Sequence, residues 1–179
     1  MKKKIVICTL AALLIVALSI GGTYAWLVSK TTTVENTFTV GNISLTLTES
    51  TGNTYSLVPG TSLSKDPRVT VKAGSEDCWL FFKLDKTGEL DRFLSYAVAE
   101  GWTALDGQEG VYYRRVDALT MDETFPLLLS DTVTVRESVS EEMLSSLTAN
   151  PTMKFTAYAI QQSGFSNPAL AWQELNASL

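Results

Sequence analysis

Strict alternation of apolar and hydroxyl side chains marks the stretch Ile43-Ser44-Leu45-Thr46-Leu47-Thr48. Side chains of a β-strand point to opposite faces in turn, so this period of two predicts a strand with one buried and one solvated face. The stretch Thr152–Gln161 has the same period, with apolar residues at the odd positions from Met153 to Ala159. It predicts a long strand near the end of the chain.

The rest of the chain beyond residue 30 has the composition of further strands separated by turns. The segment Trp79–Leu84 is apolar at both odd and even positions, which is typical of a central strand of a sandwich. Further strand candidates are Thr31–Val40, Tyr55–Val58, Val69–Val71, Leu94–Val98, Val111–Arg115 and Thr132–Arg136. Turn signals such as Pro59-Gly60 recur about every 8–12 residues, which predicts an all-β fold, an antiparallel β-sandwich.

Two short helices complete the prediction. Ser140–Leu147 begins with Ser-Glu-Glu and has the length of two turns. Asn167 precedes a proline, an order that favours a helix start, and this helix is expected to run through Leu175.

The N-terminal 25 residues have the composition of a secretory signal. Three lysines at positions 2–4 precede an apolar run of 16 residues, Ile5–Ile20, and small residues follow at Thr23 and Ala25. This order predicts a signal helix over residues 1–25 that signal peptidase cleaves between Ala25 and Trp26. An uncleaved membrane anchor is the alternative, although the run is shorter than the roughly 20 residues of a spanning helix.

Residues 26–179 are predicted to form a single β-sandwich domain. The signal contains three of the 14 basic residues and none of the 19 acidic ones, which leaves a net charge of −8 on the rest. A domain this acidic is not expected to bind nucleic acid, and it is expected to meet the membrane only through the uncleaved signal. We expect the mature protein to be secreted.

Residue types required for common catalytic sites are missing. The chain has no histidine, which usually supplies zinc ligands and the base of a serine nucleophile. The sequence Ser62-Leu63-Ser64-Lys65 matches an acylating motif, but that motif requires a helix start, and turn residues surround it here. Carboxylate pairs such as Glu76-Asp77 lie in polar stretches and are interpreted as solvated charge. We therefore predict no catalytic, metal or cofactor site and no enzyme activity, and we interpret the single mature cysteine, Cys78, as a buried apolar residue.

Several motifs spread over the chain carry a family resemblance. They are Gly21–Trp26, Glu35–Leu45, Pro59-Gly60 with Lys65-Asp66-Pro67 and Val69-Thr70-Val71, Trp102-Thr103 with Gly110–Tyr113, and Ala157–Gln161 with Gly164-Phe165 and Ala171-Trp172. With these motifs the chain resembles the TasA and camelysin family, which Gram-positive bacteria export through a signal peptidase of the SipW type.

The resemblance implies a jelly-roll-like sandwich and a location at the cell surface or in the extracellular matrix. Some members of the family polymerise into biofilm fibres, and camelysin-like members have been classed as metallopeptidases. The chain is shorter than the best-known fibre former and lacks its long charged tail, which is a departure from the fibre-forming pattern.

Three functions remain open at this point. The first is a structural protein that associates with itself, or with other matrix or surface proteins, by donating the segment Trp26–Val40 as a strand. The candidate interface residues are Val34, Phe38 and Val40, although the same segment is equally suited to pairing within its own domain. The second is a secreted peptidase, which the absence of histidine disfavours. The third is a monomeric adhesin with aromatic side chains that stack on sugars, for which the candidates are Trp102, Tyr112, Tyr113 and Trp172. Most of these four residues are expected in the core instead, because large aromatic side chains dominate sandwich interiors.

Overall fold

A computed structural model of the protein describes residues 39–40, 42–52, 54–87, 89–147 and 149–178. The chain divides into two compact units, Met1–Val34 and Glu35–Leu179, and all described residues belong to the second. Part of the predictions falls outside the described residues: the signal helix, the cleavage-site residues Thr23, Ala25 and Trp26, and the donor-segment residues Val34 and Phe38.

The described residues contain eleven strands in three sheets and three short helices. The strands are β1 (Thr39–Val40), β2 (Leu45–Thr48), β3 (Ser62–Ser64), β4 (Arg68–Val71), β5 (Cys78–Thr87), β6 (Leu94–Ser95), β7 (Thr103–Ala104), β8 (Val111–Val116), β9 (Glu123–Pro126), β10 (Thr132–Val135) and β11 (Thr152–Gln161). The helices are α1 (Leu90–Phe93), α2 (Glu141–Ser145) and α3 (Pro168–Ala177), and a 3-10 turn spans Leu129–Asp131. The predicted all-β sandwich is confirmed.

Sheet A is the longer layer, with the strand order β1-β11-β5-β8-β7. Strand β5 pairs antiparallel with β11 on one side and with β8 on the other. The β5–β11 ladder covers ten residues of each strand, from Cys78 opposite Gln161 to Thr87 opposite Thr152. The central position predicted for Trp79–Leu84 is therefore confirmed, since these residues lie within β5.

The opposite layer consists of two three-stranded sheets, sheet B (β2-β4-β9) and sheet C (β3-β10-β6). Two backbone hydrogen bonds connect the two sheets: Leu127 N–H donates to Pro67 C=O at 3.0 Å, and Lys65 N–H donates to Asp131 C=O at 2.8 Å. Pro67 has no N–H for the ladder. In the facing 3-10 turn between β9 and β10, Ser130 and Asp131 adopt φ of 57° and 51°. These features interrupt the ladder, so the layer is divided into two sheets.

Three apolar clusters fill the spaces around the sheets. The largest lies between sheets A and B and includes Leu80, Phe82 and Val69. The second lies on the other face of sheet A, where α3 places Trp172 over Phe81. The third lies against sheet C and includes buried residues from α1 and β10 and the partly buried leucines beside α2. Sheet A is thus covered by apolar residues on both faces, which explains why β5 is apolar at odd and even positions.

The helix predictions are confirmed at their N-termini. The Ser140 hydroxyl accepts a hydrogen bond from Met143 N–H, and the Asn167 side chain accepts one from Leu170 N–H. Both are the capping bonds expected of these residue types. Helix α3 extends to Ala177, two residues beyond the predicted end.

Two strand predictions differ from the structure. Residues Tyr55–Val58 form no strand, and the segment Leu94–Val98 forms a strand only at Leu94–Ser95, followed by an isolated bridge from Val98 to Leu128. Helix α1 was not predicted, because its four residues are too few to show a helical period.

Gly110 provides a test of the contact between β5 and β8. It has φ of +73°, and a Cβ atom at this position would lie 2.5 Å from the carbonyl oxygen of Leu84. Gly110→Ala is expected to lower the free energy of unfolding by about 3 kcal/mol, since a left-handed alanine and a close backbone contact both cost energy. Gly107 has the same φ of +73°, but a Cβ atom there would meet no side chain or backbone of a more distant residue within 4 Å, so Gly107→Ala should cost only about 1 kcal/mol. Urea unfolding of both variants measures the difference, and equal losses would contradict the steric argument.

Candidate functional site

The outer edge of β11 is the main candidate for an interaction site. Strand β11 has ten residues, and β5 pairs with all of them on its inner side. On its outer side, within the described part of the chain, only β1 pairs with it, with Thr39 opposite Ala159 and Val40 opposite Ile160. The backbone edge from Met153 to Tyr158 therefore has no strand partner among the described residues.

The pairing of β1 is parallel, whereas the other strand pairs of the described residues are antiparallel. The structure thus places Val40, one of the three predicted interface residues, beside Ile160 in the backbone register. This pairing lies within one chain, which is the alternative that the sequence left open beside donation to a second copy, and the sequence did not identify β11 as the partner strand. The signal available for the acceptor was the unusual length of the alternating stretch Thr152–Gln161.

The aromatic side chains proposed to stack on sugars have partners within the domain. Trp172 is 5 % exposed and packs against Phe81 and Tyr158. Trp102 donates a hydrogen bond from Nε1 to the carbonyl oxygen of Pro126 at 2.9 Å. The rings of Trp102 and Tyr112 contact Phe82 at centroid distances of 4.7 and 4.9 Å, and Tyr113 contacts Trp79 at 6.0 Å. These contacts fit packing roles.

The guanidinium group of Arg114 lies near two aromatic rings, those of Phe125 and Trp102. Its guanidinium carbon lies 3.9 Å from the ring centroid of Phe125 and 5.5 Å from that of Trp102. Partial burial lowers the pKa of Arg114 from its usual value, and the charge of Glu123 opposes that shift. The sequence did not indicate a role for Arg114. Alternation along β8 predicts on which face of the strand this side chain lies, but not that the rings of Phe125 and Trp102 are near it.

The two nucleophile candidates, Ser62 and Cys78, both lie in β-strands. Ser62 lies in strand β3, not at a helix start, and its hydroxyl is 3.3 Å from that of Thr134. Cys78 is fully buried at the start of β5. Burial, with a smaller effect from the charge of Asp77, raises the pKa of the Cys78 thiol to about 12, so the thiolate required for reactivity is disfavoured.

Two of the described carboxylates accept hydrogen bonds from backbone amides of nearby loops. Asp77 accepts a hydrogen bond from Ala118 N–H, and Asp122 accepts one from Ala73 N–H and pairs with Lys72. No group of three or more His, Cys, Asp or Glu side chains among the described residues is arranged to hold a metal ion.

The loop after β2 is attached to the connection between β3 and β4 through Asp66. The Asp66 carboxylate accepts hydrogen bonds from the hydroxyl and amide groups of both Ser50 and Thr51, at distances of 2.6 to 3.0 Å. These bonds, led by the one from the Ser50 hydroxyl, hold the pKa of Asp66 well below its usual value. Beside this contact, Lys65 Nζ lies 2.6 Å from Glu49 Oε1.

A protein-family model matches residues 1–78 of this chain. The match is to camelysin metallo-endopeptidase. It confirms the resemblance to the TasA and camelysin family over these 78 of the 179 residues. The camelysin match includes β1 to β4, whereas β5, β11 and the outer edge of β11 lie almost wholly beyond it. No curated protein and no solved structure matches the chain.

None of the helices in the described ranges is long and apolar enough to cross a membrane.

The carboxylate of Asp66 predicts a pH dependence of stability. Because its folded pKa is depressed, its contribution is complete above the unfolded pKa of about 4 and is lost as the pH falls through the folded value. Urea unfolding of the wild type should therefore show a falling midpoint below about pH 4, and Asp66→Asn should lower stability at pH 7 while flattening this fall. Asp106→Asn, in an exposed turn, is the matched control and should behave like the wild type. A wild-type and an Asp66→Asn profile of equal steepness would contradict the assignment.

Proposed function

We propose that this chain is an exported structural protein of the cell surface or extracellular matrix, and that it associates with itself by strand addition at the outer edge of β11. The observation that carries the proposal is the two-residue parallel pairing of β1 with a ten-residue strand. The camelysin match over residues 1–78 supports the exported location, since the resemblance is to a family of exported proteins.

The two edges of sheet A differ in a way that favours β11 as the acceptor. At the opposite edge, β7 pairs with β8 only at Thr103 and Ala104, and the short length of this edge strand limits further pairing. At the β11 edge, the backbone from Met153 to Tyr158 offers six residues in a regular extended conformation. An extended segment of a second copy would satisfy these backbone groups by main-chain hydrogen bonds.

The register of β1 defines how the donated strand would lie. Thr39 is opposite Ala159, so a strand that continues in this register places Phe38 beside Tyr158 and Val34 beside Lys154. Tyr158 is 8 % exposed and packs against Trp172, whereas Lys154 is exposed. Phe38 would thus be the main apolar contact of the donated segment, and Val34 would contribute less.

A secreted peptidase is the second candidate, and the description of the matched family is the observation that favours it. The chain has no histidine, so the zinc ligands and general base of the common metallopeptidase sites would need to come from other residue types. We propose that the structural role applies to this chain.

Assembly of the mature protein, beginning at Trp26, tests strand addition. Phe38→Asp should weaken assembly by on the order of 100-fold, because it removes the aromatic side chain that the donated strand would bury and would place a charge beside Tyr158. A tag placed before Trp26 should also suppress assembly, but less strongly. Sedimentation velocity and electron microscopy across a concentration series measure both effects.

Asn36→Asp is the matched control for this experiment. It adds the same charge to the same strand face, but the register places residue 36 beside the polar Thr156, so assembly should be close to that of the wild type. Circular dichroism must show that each variant is folded. A mature protein that stays monomeric at high concentration, with or without the tag, would reject self-association.

Peptidase assays separate the two candidate functions. Highly purified mature protein should hydrolyse no casein, and addition of zinc should not change this, because histidine is absent from the chain. Casein hydrolysis that a zinc chelator abolishes and zinc restores would establish the peptidase function. Material from a parallel mock purification is the control for contaminating proteases.

A further inference from the structure

A groove of about 650 Å³ lies between sheet C and the segments that face it. Its floor is formed by Leu63, Val133 and Leu94, which belong to the neighbouring strands β3, β10 and β6. Leu144 of α2 and Met153 of β11 contribute to the other walls. The volume is within the range of sites that bind small molecules, about 300–1,000 Å³.

The floor of the groove is the face of a sheet and not its edge. The backbone groups of β3, β10 and β6 pair with one another in the ladder, with Val133 opposite Leu63 and Val135 opposite Leu94. A peptide lying on this face would bring N–H and C=O groups that find no partners on the floor, at a cost in free energy. A hydrocarbon chain has no such groups, so the floor favours an alkyl ligand over a peptide strand.

Lys65 is the one charged side chain among the described residues that line the groove. Its side chain is only 12 % exposed, and Nζ lies 5.6 Å and 5.9 Å from the ring centroids of Tyr55 and Phe155. An ammonium group has three N–H donors. Within the described part of the chain, Glu49 accepts one hydrogen bond from Nζ and no second acceptor is present. The remaining N–H donors of Lys65 can therefore bind an acceptor oxygen of a ligand in the groove.

The opposite charges of Lys65 and Glu49 indicate which kind of ligand oxygen fits beside them. Glu49 already neutralises Lys65 at an Nζ–Oε1 distance of 2.6 Å, and the chain as a whole has a net charge of −5. A ligand carboxylate would meet the charge of Glu49 and would be repelled by it. An alcohol, ester or amide oxygen accepts the hydrogen bond without this repulsion.

We infer that the groove binds the alkyl chain of an uncharged amphiphile, whose head-group oxygen accepts a hydrogen bond from Lys65. The groove adjoins the start of the β11 edge, since Met153 lines both, so the experiment below must distinguish an amphiphile from a donated strand.

Fluorescence of N-phenyl-1-naphthylamine, an uncharged apolar probe, tests the groove in the mature protein. The probe should bind saturably, 1-decanol should displace it, and decanoate below its micellar concentration should displace it at least about tenfold less well. Lys65→Met should weaken 1-decanol about tenfold, the loss expected for a hydrogen bond to a charged group, and should leave the affinity for the probe unchanged. Lys86→Met, which removes an ammonium paired with Asp91 at 2.6 Å, should leave both affinities unchanged.

A second pair of variants tests the location without changing Lys65. Leu144→Trp should fill the groove and abolish probe binding, whereas Leu170→Trp, at a position 47 % exposed on α3, should not affect it. Absence of saturable probe binding to the folded wild type overturns the inference, and so does displacement by 1-decanol that Lys65→Met leaves unchanged. Probe binding that appears only when Phe38→Asp blocks assembly would assign the groove to the donated strand of a second copy, and would also overturn it.

Discussion

The ten-residue ladder between β5 and β11 is the contact on which the other elements depend. It joins Cys78–Thr87 to Thr152–Gln161, and each strand contributes apolar side chains to both faces of sheet A. One face supports sheet B, and the other supports α3 through Phe81, Tyr158 and Trp172. Each of these two strands buries apolar side chains on both of its faces. It therefore removes more apolar area from water, and contributes more to the core, than a strand that is buried on one face.

Much of this architecture could be predicted from short-range patterns. The period-two alternation at Thr152–Gln161 gave β11 with the observed bounds, and the caps at Ser140 and Asn167 gave two helix starts. The missed elements lack such patterns. Strand β3 has three residues, too few to show alternation, and its pairing with β10 depends on a partner about 70 residues away. The left-handed Ser130 and Asp131 divide the second layer, yet serine does not normally indicate this conformation, and a lone aspartate favours it far less than glycine does.

The candidate sites were predictable to different degrees. A donor strand near the N-terminus follows from composition, and its last two residues are found in β1, but the acceptor edge requires knowledge of which strand lies outermost in sheet A. The groove over sheet C was not predictable, because its walls come from positions as far apart as Leu57 and Met153. The contact between Lys65 and Glu49 was not predictable for the same reason. Lys65 follows β3, which the sequence did not predict, while its partner Glu49 follows β2.

The separation of β5 and β11 along the chain also affects the time at which the sheet can form. Synthesis delivers the N-terminal part first, so β5 is complete 74 residues before the last residue of β11 exists. At about 5–20 residues per second, this interval is roughly 4–15 s. For the first 29 of these residues β8 is also incomplete, and afterwards the strand Cys78-Trp79-Leu80-Phe81-Phe82 has β8 on one side and no β11 on the other. Such an apolar, unpaired edge is prone to aggregation, so the nascent chain is most exposed to misassembly until its last long strand arrives.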